Sequence, residues 1–303
     1  MQYGILYKVT ENDLNIMLKL FIVHKKFVDF SHVIWYADYV GAAVSCPFSY
    51  TCVRGIVKIS MKKGKMFMKK RTVLRLTAAI LFLLVLGCGI YVSDYYRAEE
   101  TIGVLAPSVS MEISDDRMVF LPEEAETGLV FYPGGKVEFT AYAPLMAQLA
   151  QQNILCVLLK MPLNLAVLDL DAAKGIPELF PEVEHWYLAG HSLGGSMAAS
   201  FAGKHSDTYE GLILLAAYST SDLTQTGLKI CSLYGDRDGV LNLEKYRQYR
   251  PNLPEDTLEL VLEGGNHADF GSYGHQDGDG ISTLEPGAQI QWTTERILEF
   301  IQG

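Results

Sequence analysis

From residue 127 to the C-terminus, short apolar runs alternate with stretches of helical spacing. The runs cover 127–132, 154–160, 186–189, 211–218, 229–234 and 258–262. An earlier pair, near 110–113 and 118–121, predicts a leading hairpin. Between the runs, 141–151, 165–180, 195–204 and 243–248 carry helical patterns, and a last one covers 289–300. Several runs are apolar at every position, as in Leu-Ile-Leu-Leu-Ala-Ala from Leu212, which suits strands covered on both faces. Alternation of such strands with helices predicts an α/β fold: a mostly parallel sheet flanked by helices.

The first third of the chain has a different pattern. Lys62, Lys63, Lys65, Lys69, Lys70, Arg71 and Arg75 form a basic run without an acid, followed by uncharged residues 76–92. Residues 73–92 approach the roughly 20 needed to span a bilayer, with Arg75 reaching the interface. A basic flank stays cytoplasmic, so one transmembrane helix is expected here as a signal anchor of an exported, bacterial protein. Residues 93–303 would then face outward, with Tyr91, Tyr95 and Tyr96 at the far interface. No small-x-small cleavage site comes after it, which favours an anchor over a removed signal. A lipid-anchored Cys88 is the lesser alternative, because Val85-Leu-Gly-Cys88 fits a lipobox poorly.

Residues 1–60 show no clean period, and exported proteins begin close to their basic flank. This stretch is expected to be a non-native or disordered extension, with the true start at Met61, Met66 or Met68. The expected organisation is therefore an extension at 1–60, a basic flank and anchor at 61–92, a linker at 93–109, and an α/β domain at 110–303.

Charge separates the same regions. Residues 1–75 hold 13 Lys/Arg and 4 Asp/Glu, a net of +9, whereas 76–303 hold 12 and 31, a net of −19. So acidic a domain repels nucleic acid, whose binding depends on neutralising phosphates. Cys156 and Cys231 sit within apolar runs and read as buried small hydrophobes, not as nucleophiles or a disulfide. No His/Cys cluster has zinc spacing, so neither metal nor cofactor is expected.

Ligands of open parallel sheets bind beyond the carboxyl ends of the strands. The residues directly after each run are therefore the informative ones. Run 127–132 leads into Pro133-Gly134-Gly135-Lys136. Run 186–189 leads into Gly190-His191-Ser192-Leu193-Gly194, a G-x-S-x-G turn with a small-residue helical stretch after it. Such a turn strains the serine and exposes its Oγ. Run 229–234 ends in Gly235-Asp236-Arg237-Asp238-Gly239, and run 258–262 ends in Glu263-Gly-Gly-Asn-His267. A glycine turn, a serine, an acid and a histidine thus emerge at one sheet edge.

The order Ser, Asp, His resembles the α/β-hydrolase fold over roughly 128–301. Tyr132-Pro-Gly-Gly-Lys-Val137, Ala141-Tyr-Ala-Pro-Leu145 and Gly-Asn-His267-Ala-Asp-Phe-Gly-Ser-Tyr-Gly274 look like a dienelactone-hydrolase-related group of bacterial anchored or exported members. That resemblance implies Ser192 as nucleophile, His267 as general base and Asp238 as its orienting acid. It also implies an oxyanion hole from the N–H of Leu193 and that of Gly135 or Lys136.

Competing assignments are few. Asp236 is the alternative acid, and Asp238 is preferred as the one farther beyond the strand. His275 is the alternative base, in a Gly/Asp-rich loop expected to be solvated. His191 and His185 receive no role. Gln276-Asp-Gly-Asp-Gly280 superficially suggests a calcium loop but lacks the remaining ligands, and reads as a polar surface loop. Only nine residues, 219–227, separate two strand runs where larger relatives insert a lid. No large lid domain is expected, which suits a small or medium acyl substrate. The implied activity is ester hydrolysis through an acyl-enzyme. Acyl transfer by the same triad, or a noncatalytic binding module, are the alternatives.

Overall fold

In the computed structural model, the described residues are 70–99 and 109–303, all within the unit Met68–Gly303. The extension at 1–60 and most of the basic flank lie outside them. Eight strands form one sheet: β1 Val109–Ile113, β2 Arg117–Pro122, β3 Thr127–Tyr132, β4 Ile154–Leu159, β5 His185–His191, β6 Gly211–Leu215, β7 Lys229–Gly235 and β8 Leu258–Leu262. Their spatial order is β1-β2-β4-β3-β5-β6-β7-β8. The pairs β1–β2 and β2–β4 are antiparallel, and every pair from β4 to β8 is parallel.

The helices are α1 Lys70–Ser93, α2 Ala143–Ala150, α3 Leu193–Ala202, α4 Leu243–Tyr249 and α5 Ala288–Gln302. Alternating residues of the central strands feed two cores. Leu129 and Phe131 of β3 join Leu145, Leu149 and Ile297 on one face, while Val130 and Tyr132 join Ala198 and Phe201 on the other. Both faces are covered, which is why the strands read as continuous apolar runs. Cys156 and Cys231 are buried free thiols on non-adjacent strands. Burial pushes the Cys231 thiol up to about 12, far from the range of a nucleophile.

The helical pattern at 165–180 does not become a helix. Three short 3-10 turns, Pro162–Asn164, Ala166–Leu168 and Pro177–Leu179, take its place. Leu163 and Asn164 have positive φ, Gly175 is left-handed, and Pro177 blocks continuation. Tyr132 pins this irregular crossover, donating to Leu170 O (2.8 Å) and accepting from Ala173 N–H (3.1 Å). Strand β6 also ends early, at Leu215, where Ala216 turns to φ 48°.

Helix α1 stands where a membrane span was expected. Among the described residues, however, no helix is long and apolar enough to cross a membrane. Lys70, Arg71 and Arg75 occupy its first turns. The single-span expectation finds no support here.

Candidate active site

The first connection out of β3 goes to β4 on one side, and the chain then crosses back to β5 on the other. This reversal is the topological switch point, where the loops leaving β3 and β5 open a crevice. Ser192 sits at the end of β5 with φ 52° and ψ −121°, a conformation that costs a non-glycine residue on the order of 1–3 kcal/mol. Its N–H donates to Leu215 O (2.9 Å) and its carbonyl accepts from Ser196 N–H (3.1 Å), so neighbouring strand and helix hold the strain in place. Gly194 is required by crowding, since a Cβ there would run into the carbonyls of Tyr132 and Pro133. The serine turn is thereby pressed against the end of β3.

His267 and Asp238 arrive from β8 and β7. Nδ1 of His267 lies 2.8 Å from Asp238 Oδ2, and both side chains are only 1% exposed. The other carboxylate oxygen of Asp238 accepts from Val240 N–H (2.8 Å) and Leu241 N–H (2.7 Å). Asp236 is engaged elsewhere, accepting from Gly264 N–H at 2.7 Å. His275 is exposed. The structure therefore pairs His267 with Asp238 and not with Asp236. It draws no hydrogen bond between Ser192 Oγ and His267 Nε2, and that nitrogen is buried without a partner. Catalytic contacts of this kind are often long before substrate binds.

The turn after β3 separates the two oxyanion candidates. Lys136 N–H is already donated to Asn164 O at 2.7 Å, and Gly134 N–H to Tyr142 Oη at 3.1 Å. Gly135 and Leu193 have no acceptor for their N–H groups among the described residues. They are also in contact, since a Cβ on Gly135 would lie 2.8 Å from Leu193 Cδ2. The engaged N–H of Lys136 removes it as a donor in this conformation.

Sequence reasoning left three supporting groups unassigned. His191 is fully buried, its Nδ1 is 2.8 Å from Tyr142 Oη, and its ring centroid is 4.5 Å from that of His267. Burial first, and the neighbouring His267 second, hold its pKa well below the usual histidine value. Its surroundings therefore favour the neutral ring. Asn164 supplies the carbonyl that restrains Lys136. The third group is the segment after α1. Tyr96 N–H donates to Lys136 O and Tyr96 O accepts from Glu138 N–H, both at 2.8 Å. The Tyr96 ring lies 5.8 Å from that of Tyr273, and its Oη accepts from Asp277 N–H (3.1 Å). Glu99 N–H reaches Ser272 O at 2.9 Å. Residues 94–99, expected as part of a linker, thus strap the β3 turn to the loop beyond His267.

Residues 128–291 match the model of the alpha/beta hydrolase family, over more than half of the chain. The chain belongs to that family. None of the curated proteins compared with it matches in sequence. Similar solved structures include a CIB-like hydrolase from Thermoplasma acidophilum, at 15% identity, with 63% of this chain and 99% of that one covered and a TM-score of 0.48. TT1662 from Thermus thermophilus is 16% identical, with coverage of 64% and 99% and a TM-score of 0.48. Est1E from Butyrivibrio proteoclasticus is 13% identical, with coverage of 65% and 100% and a TM-score of 0.47.

Proposed function

We propose that this hydrolase cleaves carboxylic esters through Ser192, His267 and Asp238. The observation that carries the reading is the buried Asp238–His267 pair, whose free Nε2 belongs to the same sheet edge as the strained Ser192. Ser192 Oγ attacks the carbonyl carbon and its proton passes to His267 Nε2. The carbonyl oxygen becomes an oxyanion, met by the N–H groups of Leu193 and Gly135. Collapse breaks the ester C–O bond, and the leaving alkoxide takes the proton from His267. Water then attacks the acyl-enzyme, giving one proton to His267, which returns it to Ser192 Oγ as the acid departs. Asp238 stays ionised throughout and holds the imidazole in the right tautomer.

A fluorophosphonate probe tests this directly. Wild-type protein should be labelled at Ser192 and Ser192→Ala should not; labelling that persisted in the variant would refute the assignment. Ester hydrolysis is favoured over binding alone because every group of the mechanism is present. Products formed in the presence of added alcohols report acyl transfer by the same residues. No helix or strand intervenes between β6 and β7, which supports an uncapped site for a small or medium acyl group. The motifs around Lys136 and His267 support kinship with the dienelactone-hydrolase-related group.

Membrane attachment at residues 73–92, with the catalytic domain outside the cell membrane, is proposed from the basic run and the apolar residues after it. Ile80–Leu86 and Ile90 are exposed on α1, in keeping with contact to lipid. Recovery of the native protein in the supernatant of washed cells' lysates, rather than with membranes, would dismiss it.

A further inference from the structure

The Gln276–Gly280 run, expected as a solvated surface loop, lies under both loops that carry the proposed acid and base. One oxygen of Asp279 accepts from Gly239 N–H at 3.0 Å and from Gly280 N–H at 2.8 Å. The other accepts from His267 N–H at 3.0 Å and Ala268 N–H at 2.8 Å. Gly239 directly follows Asp238, so a single carboxylate grips the peptide after the acid and the peptide of the base itself. Charge-assisted N–H bonds of this kind are roughly twice as strong as neutral ones. No Lys or Arg ion-pairs with Asp279 among the described residues, so backbone donors alone satisfy its charge. Contact along the backbone reinforces the grip. A Cβ on Gly239 would strike Gly278 O, and one on Gly280 would strike Arg237 O. Asn266 Nδ2 also donates to Gly280 O at 3.2 Å.

We infer that Asp279 is a positioning residue, which sets the Asp238–His267 hydrogen bond by clamping the two loops together. The inference rests on the proposed roles of Asp238 and His267. Asp279 hydrogen-bonds neither side chain; the clamp acts through their backbones. Without it, the loops remain joined only nearer their strands, by Arg237 N–H to Gly265 O (2.9 Å) and Gly264 N–H to Asp236 (2.7 Å), and the 2.8 Å bond between the side chains loses its fixed frame. Misplacement of a reacting group by about 1 Å can cost on the order of 100-fold in rate.

The test uses the full chain with Asp279→Ala and the milder Asp279→Asn, which keeps the shape but replaces an acceptor oxygen by a donor. Asp277→Ala, an exposed neighbour in the same loop, is the control. Two measurements are made well below the melting temperature: steady-state kinetics on a p-nitrophenyl ester, giving kcat and KM, and the far-downfield proton resonance of His267 Nδ1–H. The clamp predicts a kcat loss of about 10- to 100-fold with KM nearly unchanged, and a broadened or upfield-shifted resonance, in both Asp279 variants but not in Asp277→Ala. Should Asp279→Ala fail to fold, Asp279→Asn carries the test alone. A lowered melting temperature with unchanged kcat and an unchanged resonance would reduce Asp279 to a structural role and overturn the inference. The resonance does not depend on turnover. A wild type that shows it, yet leaves Ser192 unlabelled by a fluorophosphonate, would count against ester chemistry and not against the clamp.

Discussion

Tyr142 Oη lies 2.8 Å from His191 Nδ1 and at the same time accepts the N–H of Gly134 at 3.1 Å. The same oxygen therefore serves the Gly134 peptide and the His191 ring at once. Two fully buried side chains thus tie the turn after β3 to the residue before Ser192. Tyr142→Phe keeps the ring but orphans a buried donor, a loss of about 1–3 kcal/mol. Thermal unfolding should register that loss, and a kcat lowered by about 10-fold should accompany it as the Gly134 peptide reorients. Full activity in Tyr142→Phe would show that the turn holds its shape unaided.

His191 also predicts an acid limb in stability. Its folded pKa is depressed by burial, whereas the unfolded chain has the ordinary value near 6.5. Below that value the unfolded state binds the proton and the folded state resists it, so stability falls as pH falls. The contribution is fully present above about pH 6.5. Melting temperatures followed from pH 8 to pH 5 should decline less in His191→Gln than in wild type. Parallel curves would mean that other groups govern the acid limb.

The two acids near β7 should separate cleanly. Asp238→Asn reverses the tautomer of His267 and is expected to lower kcat by about 10,000-fold. Asp236→Asn weakens one bond, to Gly264 N–H, and should cost on the order of 1 kcal/mol in stability with activity within a few-fold. Steady-state kinetics on both variants decides between them; a larger loss in Asp236→Asn would transfer the role.

Gly135→Ala tests the oxyanion turn. The added Cβ would lie 2.8 Å from Leu193 Cδ2, forcing apart the residues that present the two free N–H groups. A kcat loss of about 100-fold is expected, with little change in KM. Lys136→Ala leaves the backbone bond to Asn164 intact and should stay within a few-fold of wild type. Full activity in Gly135→Ala would remove the Gly135 N–H as the donor.

How much of this was written in the sequence depends on what kind of group carries each feature. Strands β3 and β8 have the bounds their apolar runs predict; for β3 this follows because burial on both faces demands uninterrupted hydrophobes. The serine turn, the acid and the histidine stand directly after strands, where local residue types mark them. The crossover at 162–179 was not legible: its apolar spacing is helical, yet Leu163 and Asn164 adopt positive φ to bring Asn164 O to Lys136. Asp279 and Tyr96 were invisible for a different reason. Asp279 and the main chain of Tyr96 bind backbone groups, which every residue possesses, so no pairing of side-chain types announces them. Choosing Asp238 over Asp236 needed distances.

The strap at 94–99 bears on where this enzyme can be cut. Shortened versions for crystallisation or assay would naturally begin at Val109, where the first strand starts, or at Gly128, where the family match starts. Either version would keep every side chain of the proposed triad while discarding the Tyr96 main chain that brackets Lys136 and the ring that rests on Tyr273. A soluble, folded and sluggish fragment would then be a product of its own boundaries, and a version begun before Asp94 would be the proper measure of the enzyme.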